Sequence, residues 1–165
     1  MKPDTIILAC ALLALAACAE EAPETPLGTP QQLMANHVQP AADIYWGSVK
    51  YESELMPDGT VEERDIRPQT DAEWEAVRAS AERLGELGEV LGSPAYTYGR
   101  GADWHAYAQG LVDAAARAEA AAVAKDPEAV FAEGGTVYNV CRACHQMYPP
   151  EVLPEGMTVD DLAES

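Results

Sequence analysis

Cys141 and Cys144 are separated by two residues, and His145 follows at once. On a helix these positions stand at i, i+3 and i+4, so the three side chains leave from one face. Two thiols placed that way can form thioether bonds to the edge of a haem, while the imidazole, one turn on from the first, ligates the iron. The order Cys-x-x-Cys-His is the attachment pattern of haem c. Two thiols at this spacing also occur in redox disulfides and in half of a zinc site. Zinc would need further ligands, and His37 and His105 are the only other histidines. A thioredoxin-like disulfide would need a strand-helix-strand setting, which the sequence lacks. The chemistry expected is therefore that of one covalent haem c, with Cys141 and Cys144 holding it and His145 on its iron.

The other two cysteines, Cys10 and Cys18, belong to the N-terminus. Lys2 precedes an apolar stretch from Thr5 to Ala17 that ends in small residues, the shape of a secretory signal and too short to cross a bilayer comfortably. It runs into Leu15-Ala16-Ala17-Cys18, which resembles a bacterial lipoprotein box. That resemblance implies cleavage before Cys18, lipidation of Cys18 and loss of Cys10 with the signal; ordinary secretion at an alanine-type site is the plainer alternative. Residues 1–17 are thus expected as a signal and 18–30 as a flexible tether. The tether is rich in glutamate and proline and poor in large apolar side chains, so it cannot bury enough surface to fold. The expected location is the periplasmic face of a bacterial membrane. Ala19 after the cysteine resembles an outer-membrane sorting signal.

The formal net charge is −18, and removing Lys2 and Asp4 together with the signal leaves that excess unchanged. Nucleic acid is a very poor partner for such a chain, because phosphate binding depends on a basic surface. A redox partner with a basic surface fits better.

The elements that must position the motif are helices. One is expected over about Pro30 to Val49, with Leu33, Met34, His37, Val38, Ala41, Ile44 and Tyr45 on its apolar side and a kink or interruption at Pro40. Lys50 to Gln69 reads as a polar connection around a Met56-Pro57-Asp58-Gly59 turn, whose flanks could pair as a small hairpin. Thr70 with Glu73 forms a capping box before Trp74, Val77, Ala81, Leu84, Gly88 and Leu91, which repeat by threes and fours. Gly92 and Pro94 end that helix, and Ser93 to Gly101 reads as a loop. A third helix over Ala102 to Lys125 carries Trp104, Ala108, Leu111, Ala115, Ala118 and Ala122. The last starts at Asp126-Pro127 and runs to Tyr148, where Pro149-Pro150 stop it. The expected fold is all-α, a four-helix bundle with covalent haem on the C-terminal helix, spanning 31–148 and followed by a tail over 149–165. Its alanine-rich core would be underfilled by protein alone, and a haem would supply the missing volume.

With the motif near its C-terminus, the chain resembles the class II cytochromes c, the cytochrome c prime family. Carriers of the resemblance are Cys141-Arg142-Ala143-Cys144-His145 with Tyr148 three residues on, and more weakly Leu33-Met34. It covers about Gln31 to Tyr148. The long Lys50 to Gln69 connection and the tail depart from the family pattern. The resemblance implies a distal haem face covered by the first helix, with Met34 as the matching sixth ligand and His37 as its competitor. Met147 lies too close to His145 to reach the opposite face. A Met34-ligated iron implies an electron carrier, not an enzyme. An open sixth position would imply a gas-binding protein for nitric oxide or carbon monoxide, and a peroxidase would need a distal acid-base group, for which His37 is the near candidate. Many family members dimerise, so a homodimer is a possible state.

Further side chains have two readings each. Trp46, Trp74 and Trp104 could line the haem pocket or be plain core. Arg78 and Arg100 are donors of the kind that haem propionates need, although ordinary surface or interhelix salt bridges are the plainer reading. His105 reads as solvent-facing, and Glu62, Glu63 and Asp65 as a solvated acidic loop.

Overall fold

The computed structural model describes residues 22–164. The segment read as a signal, 1–17, together with Cys18 and the first tether residues, lies outside that range. The described chain is mostly helical, with one small two-stranded sheet.

Helix α1 runs as three contiguous segments, Pro30–Leu33, Met34–Val38 and Gln39–Ser48. Thr29 Oγ1 accepts from the Gln32 N–H (3.2 Å), and Gln32 Oε1 accepts in return from the Thr29 N–H (2.8 Å). This reciprocal cap satisfies donors that the helix start leaves over. The middle segment is a π-turn, in which the Gln39 N–H reaches back five residues to the Met34 carbonyl. Pro40 explains it: the ring offers no N–H and would crowd the carbonyl four residues earlier. The chain absorbs the proline by widening the turn before it, and the helix continues.

That widening moves the apolar stripe by one residue. Regular spacing from Leu33 leads to 37, 41, 44 and 48, whereas the buried residues are Val38, Ala41, Ala42, Tyr45 and Val49. Ile44, expected on the apolar side, is exposed for this reason.

Strands β1 (Lys50–Leu55) and β2 (Val61–Ile66) form an antiparallel ribbon in register from Lys50↔Ile66 to Leu55↔Val61. Gly59 takes a left-handed φ of 84° in its turn, and the Asp58 carboxylate accepts from the Thr60 N–H (3.0 Å) and hydroxyl (2.6 Å). Nearly every ribbon residue is exposed or half-buried. Tyr51 meets Phe131 edge-on, with ring centroids 6.0 Å apart.

Helix α2 (Asp71–Leu91) starts as expected from the Thr70–Glu73 capping box, with the Glu73 N–H donating to Thr70 Oγ1 at 3.2 Å and the Thr70 N–H to Glu73 Oε2 at 2.8 Å. The segment read as a loop contains a single helical turn, α3 (Pro94–Thr97), in which Tyr96 is fully buried. The Leu27 N–H donates to the Tyr96 hydroxyl (3.2 Å), and that hydroxyl donates to the Gly28 carbonyl (2.9 Å). The chain is therefore packed from Leu27 onward, three residues before the tether was expected to end.

Helices α4 (Ala102–Val123) and α5 (Pro127–Met147) follow. Lys125, in the left-handed region at φ 51°, turns the chain out of α4, and the Asp126 carboxylate then accepts from the Ala129 N–H (3.0 Å) to start α5. Helix α4 packs along α2 and along α5, α1 packs on α2, and α1 touches α5 least. Small side chains let α2 and α4 approach closely: Gly85 faces Ala115, and Gly88 faces Ala108 and Val112. No described helix is long and apolar enough to cross a membrane.

The close approach at Gly88 is testable. A Cβ there would lie 2.8 Å from Val112 Cγ2 and 3.1 Å from the Val112 backbone nitrogen, so Gly88→Ala is expected to destabilise by about 1–3 kcal/mol through overpacking. Gly135, in the middle of α5, has nothing within 4 Å of such a Cβ. Gly135→Ala is expected to stabilise by roughly 0.5–1 kcal/mol through helix propensity alone. Urea unfolding midpoints of the two variants should move in opposite directions.

Candidate functional site

Helix α5 buries Val130, Gly134 and Val137, but no residue beyond Val137 is buried. At Gly134 the helix touches α1 directly: Trp46 Nε1 donates to the Gly134 carbonyl (3.0 Å), and Tyr45 packs beside it. From Tyr138 on, a cavity of about 450 Å³ separates the two helices. Its α5 wall carries Tyr138, Val140, Cys141, Cys144 and His145, and its α1 wall carries Met34, Val38, Ala42 and Trp46. Leu91 of α2 and Trp104, Tyr107, Ala108 and Leu111 of α4 complete it. The size and the apolar, aromatic lining are those of a cofactor site.

The indoles are locked in place. Trp104 Nε1 donates to the Leu91 carbonyl (2.8 Å), and Trp104 meets Tyr148 edge-on with centroids 5.0 Å apart. Trp46 meets Tyr138 likewise at 6.3 Å. With the polar N–H groups of both tryptophans satisfied at backbone carbonyls, the lining presents mainly hydrocarbon.

A second chamber of about 630 Å³ adjoins the first and shares Met34, Trp104, Cys144 and His145 with it. It lies beside the start of α1, with Thr29, Gln31, Arg100, Met147 and Glu151 among its walls. The tail passes here: Gln31 Nε2 donates to the Glu151 carbonyl (2.8 Å), and Asn36 Nδ2 donates to Asp160 Oδ1 (3.2 Å), just inside the 3₁₀ turn Val159–Glu164.

Cys141 and Cys144 are both half-buried thiols. Burial pushes the Cys141 thiol above its usual pKa, with the neighbouring Cys144 adding to the rise, and burial does the same for Cys144. The direction is opposite to that of the activated nucleophiles of redox enzymes, whose thiol pKa values are lowered.

The structure thus brings Met34, Cys141, Cys144 and His145 to one cavity. His37 is half-exposed and lines neither chamber, because the π-turn carries it further from Met34 than the roughly 60° expected on a regular helix. Trp46 and Trp104 line the cavity, whereas Trp74 belongs to the core away from it. Arg78 has the plainer role, pairing with Glu75 (2.7 Å), Glu82 (3.2 Å) and Glu119 (3.0 Å). Arg100 instead stacks on Trp104, its guanidinium carbon 4.6 Å from the ring centroid. His105 is exposed.

Sequence reasoning missed Tyr138 and Tyr107. Helical spacing held the signal for both: Tyr138 stands three residues before Cys141, and Tyr107 three after Trp104. Searches against family models, curated proteins and solved structures returned no match to this chain.

Raised thiol pKa values have a kinetic consequence. In the protein with both thiols free at neutral pH, alkylation of Cys141 and Cys144 by iodoacetamide is expected to be several-fold slower than that of a free cysteine in the same buffer. The rates should climb with pH through a midpoint above that of the free thiol, because only the thiolate reacts. Stopped-flow or quenched mass spectrometry measures both.

Proposed function

We propose that the chain is a monohaem c-type cytochrome, a four-helix bundle with its haem c bound covalently through Cys141 and Cys144 and its iron ligated by His145 and Met34. The observation that carries this reading is one apolar cavity lined by Cys141, Cys144 and His145 from α5 and by Met34 from α1. A bound haem would supply one-electron redox chemistry, the iron alternating between two oxidation states.

This chain's residues would do the rest. Cys141 and Cys144 tether the edge of the group, and Val140 and Tyr138 continue the same wall. Trp46, Trp104, Ala108 and Leu111 exclude water, which favours the less charged state of any redox centre they enclose. Met34, a soft thioether in a widened helical turn, would be a second protein ligand beside His145, and two fixed protein ligands would suit one-electron transfer. The rival zinc reading lacks support, since among the described residues no three His, Cys, Asp or Glu side chains gather into a metal cage.

The reading extends to place and partner. Lipidated Cys18 would hold the domain at the periplasmic face of the membrane, the outer one favoured. The net charge of −18 suits a redox partner with a basic surface, to which encounter would be steered electrostatically.

Denaturing electrophoresis followed by haem staining tests covalent attachment. The wild-type band is expected to stain and the Cys141→Ser, Cys144→Ser double variant to lose all stain. An unstained band from wild-type cells competent in cytochrome c maturation would defeat the proposal.

A further inference from the structure

Arg64, Arg67, Arg78, Arg83 and Arg117 each pair with a carboxylate. Arg100, like Arg142, has no carboxylate partner among the described residues, in a chain whose net charge of −18 supplies them in excess. Its guanidinium is nevertheless fixed in two ways. Nη1 donates to the Tyr96 carbonyl (2.9 Å), and the group lies over the Trp104 ring at 4.6 Å. Both supports are rigid: Tyr96 is fully buried and tied to Leu27 and Gly28, and Trp104 is buried and tied to Leu91. An arginine already held in one pose has little side-chain entropy left to lose when an anion binds.

The remaining donors of Arg100 adjoin the chamber that shares Met34, Trp104, Cys144 and His145 with the apolar cavity. Thr29 and Gln31 add neutral hydrogen-bonding groups, and Glu151 is the one carboxylate side chain in the lining. A haem is apolar over most of its area but carries two propionate carboxylates, which need donors and a polar exit. Resting on the haem reading above, we infer that Arg100 is the receptor for a haem propionate, seated on Trp104 at the polar end of the cleft. Arg142, the arginine that lines the apolar cavity itself, stands between the two attachment cysteines. It is not the receptor, because the propionates leave a haem from the side away from its thioether edge.

Resonance Raman spectra of the full-length haem protein, read at the propionate bending vibrations, test this. Arg100→Gln is expected to shift a propionate band, and Arg142→Gln to leave it in place. Arg100→Lys should shift the band as well, since a single ammonium cannot reproduce the planar fork, and this variant keeps a cation beside Trp104 if the glutamine variant fails to fold. Loss of the positive charge in Arg100→Gln should also raise the oxidised-to-reduced ratio several-fold at a fixed ambient potential. Unmoved bands in both Arg100 variants, with haem staining intact, would overturn this assignment alone. Wild-type protein without covalent haem would overturn the haem reading and the assignment with it.

Discussion

Helices α2 and α4 are drawn together by glycine and alanine, whereas α1 and α5 meet where Tyr45 and Trp46 cover Gly134 and Trp46 reaches Tyr138, and a cavity opens between them beyond. That separation governs the rest of the site. Past Val137, α5 keeps α4 on one side but opens toward α1, so Val140, Cys141, Cys144 and Tyr148 remain half-buried around an aromatic-lined space. Close packing is the normal state of a protein interior, and an apolar gap of this size marks a place built for another molecule. Elsewhere the core is well satisfied: among the described residues, no buried side-chain nitrogen or oxygen lacks a hydrogen-bond partner.

Pro40 has the next largest effect. It forces a π-turn into α1, and the extra residue re-registers the helix so that Val38, Ala42 and Tyr45 point inward while His37 and Ile44 do not. The turn also begins at Met34, which stays on the cavity wall. Single π-turns inside α-helices occur frequently at functional sites, and the first residue of this one lines the same cavity as Cys141, Cys144 and His145.

The helices, their caps at Thr70 and Asp126, and the buried stripes of α2 and α4 were legible in the sequence, because periodicity and capping are local. So was the common face of Cys141, Cys144 and His145. The displacement of Ile44 and His37 was not legible: Pro40 announces a disturbance but leaves open whether the helix kinks, breaks or widens. Tyr96 was hidden for a different reason. Four residues cannot display a helical period, and its burial depends on Leu27 and Gly28, nearly seventy residues earlier in the chain. The stack of Arg100 on Trp104 is local, yet it too depends on how the turn after α3 delivers Arg100 to the start of α4.

Met34 and His145 face one cavity from α1 and α5, and the proposed electron carrier depends on both reaching the same iron. The far-red absorption of the oxidised protein reports this directly. A methionine-to-iron charge-transfer band is expected in the wild type and should vanish in Met34→Ala, with His37→Ala leaving it unchanged. A high-spin wild-type spectrum, with ready carbon monoxide binding after reduction, would contradict the Met34-ligated carrier and indicate an open gas-binding site instead.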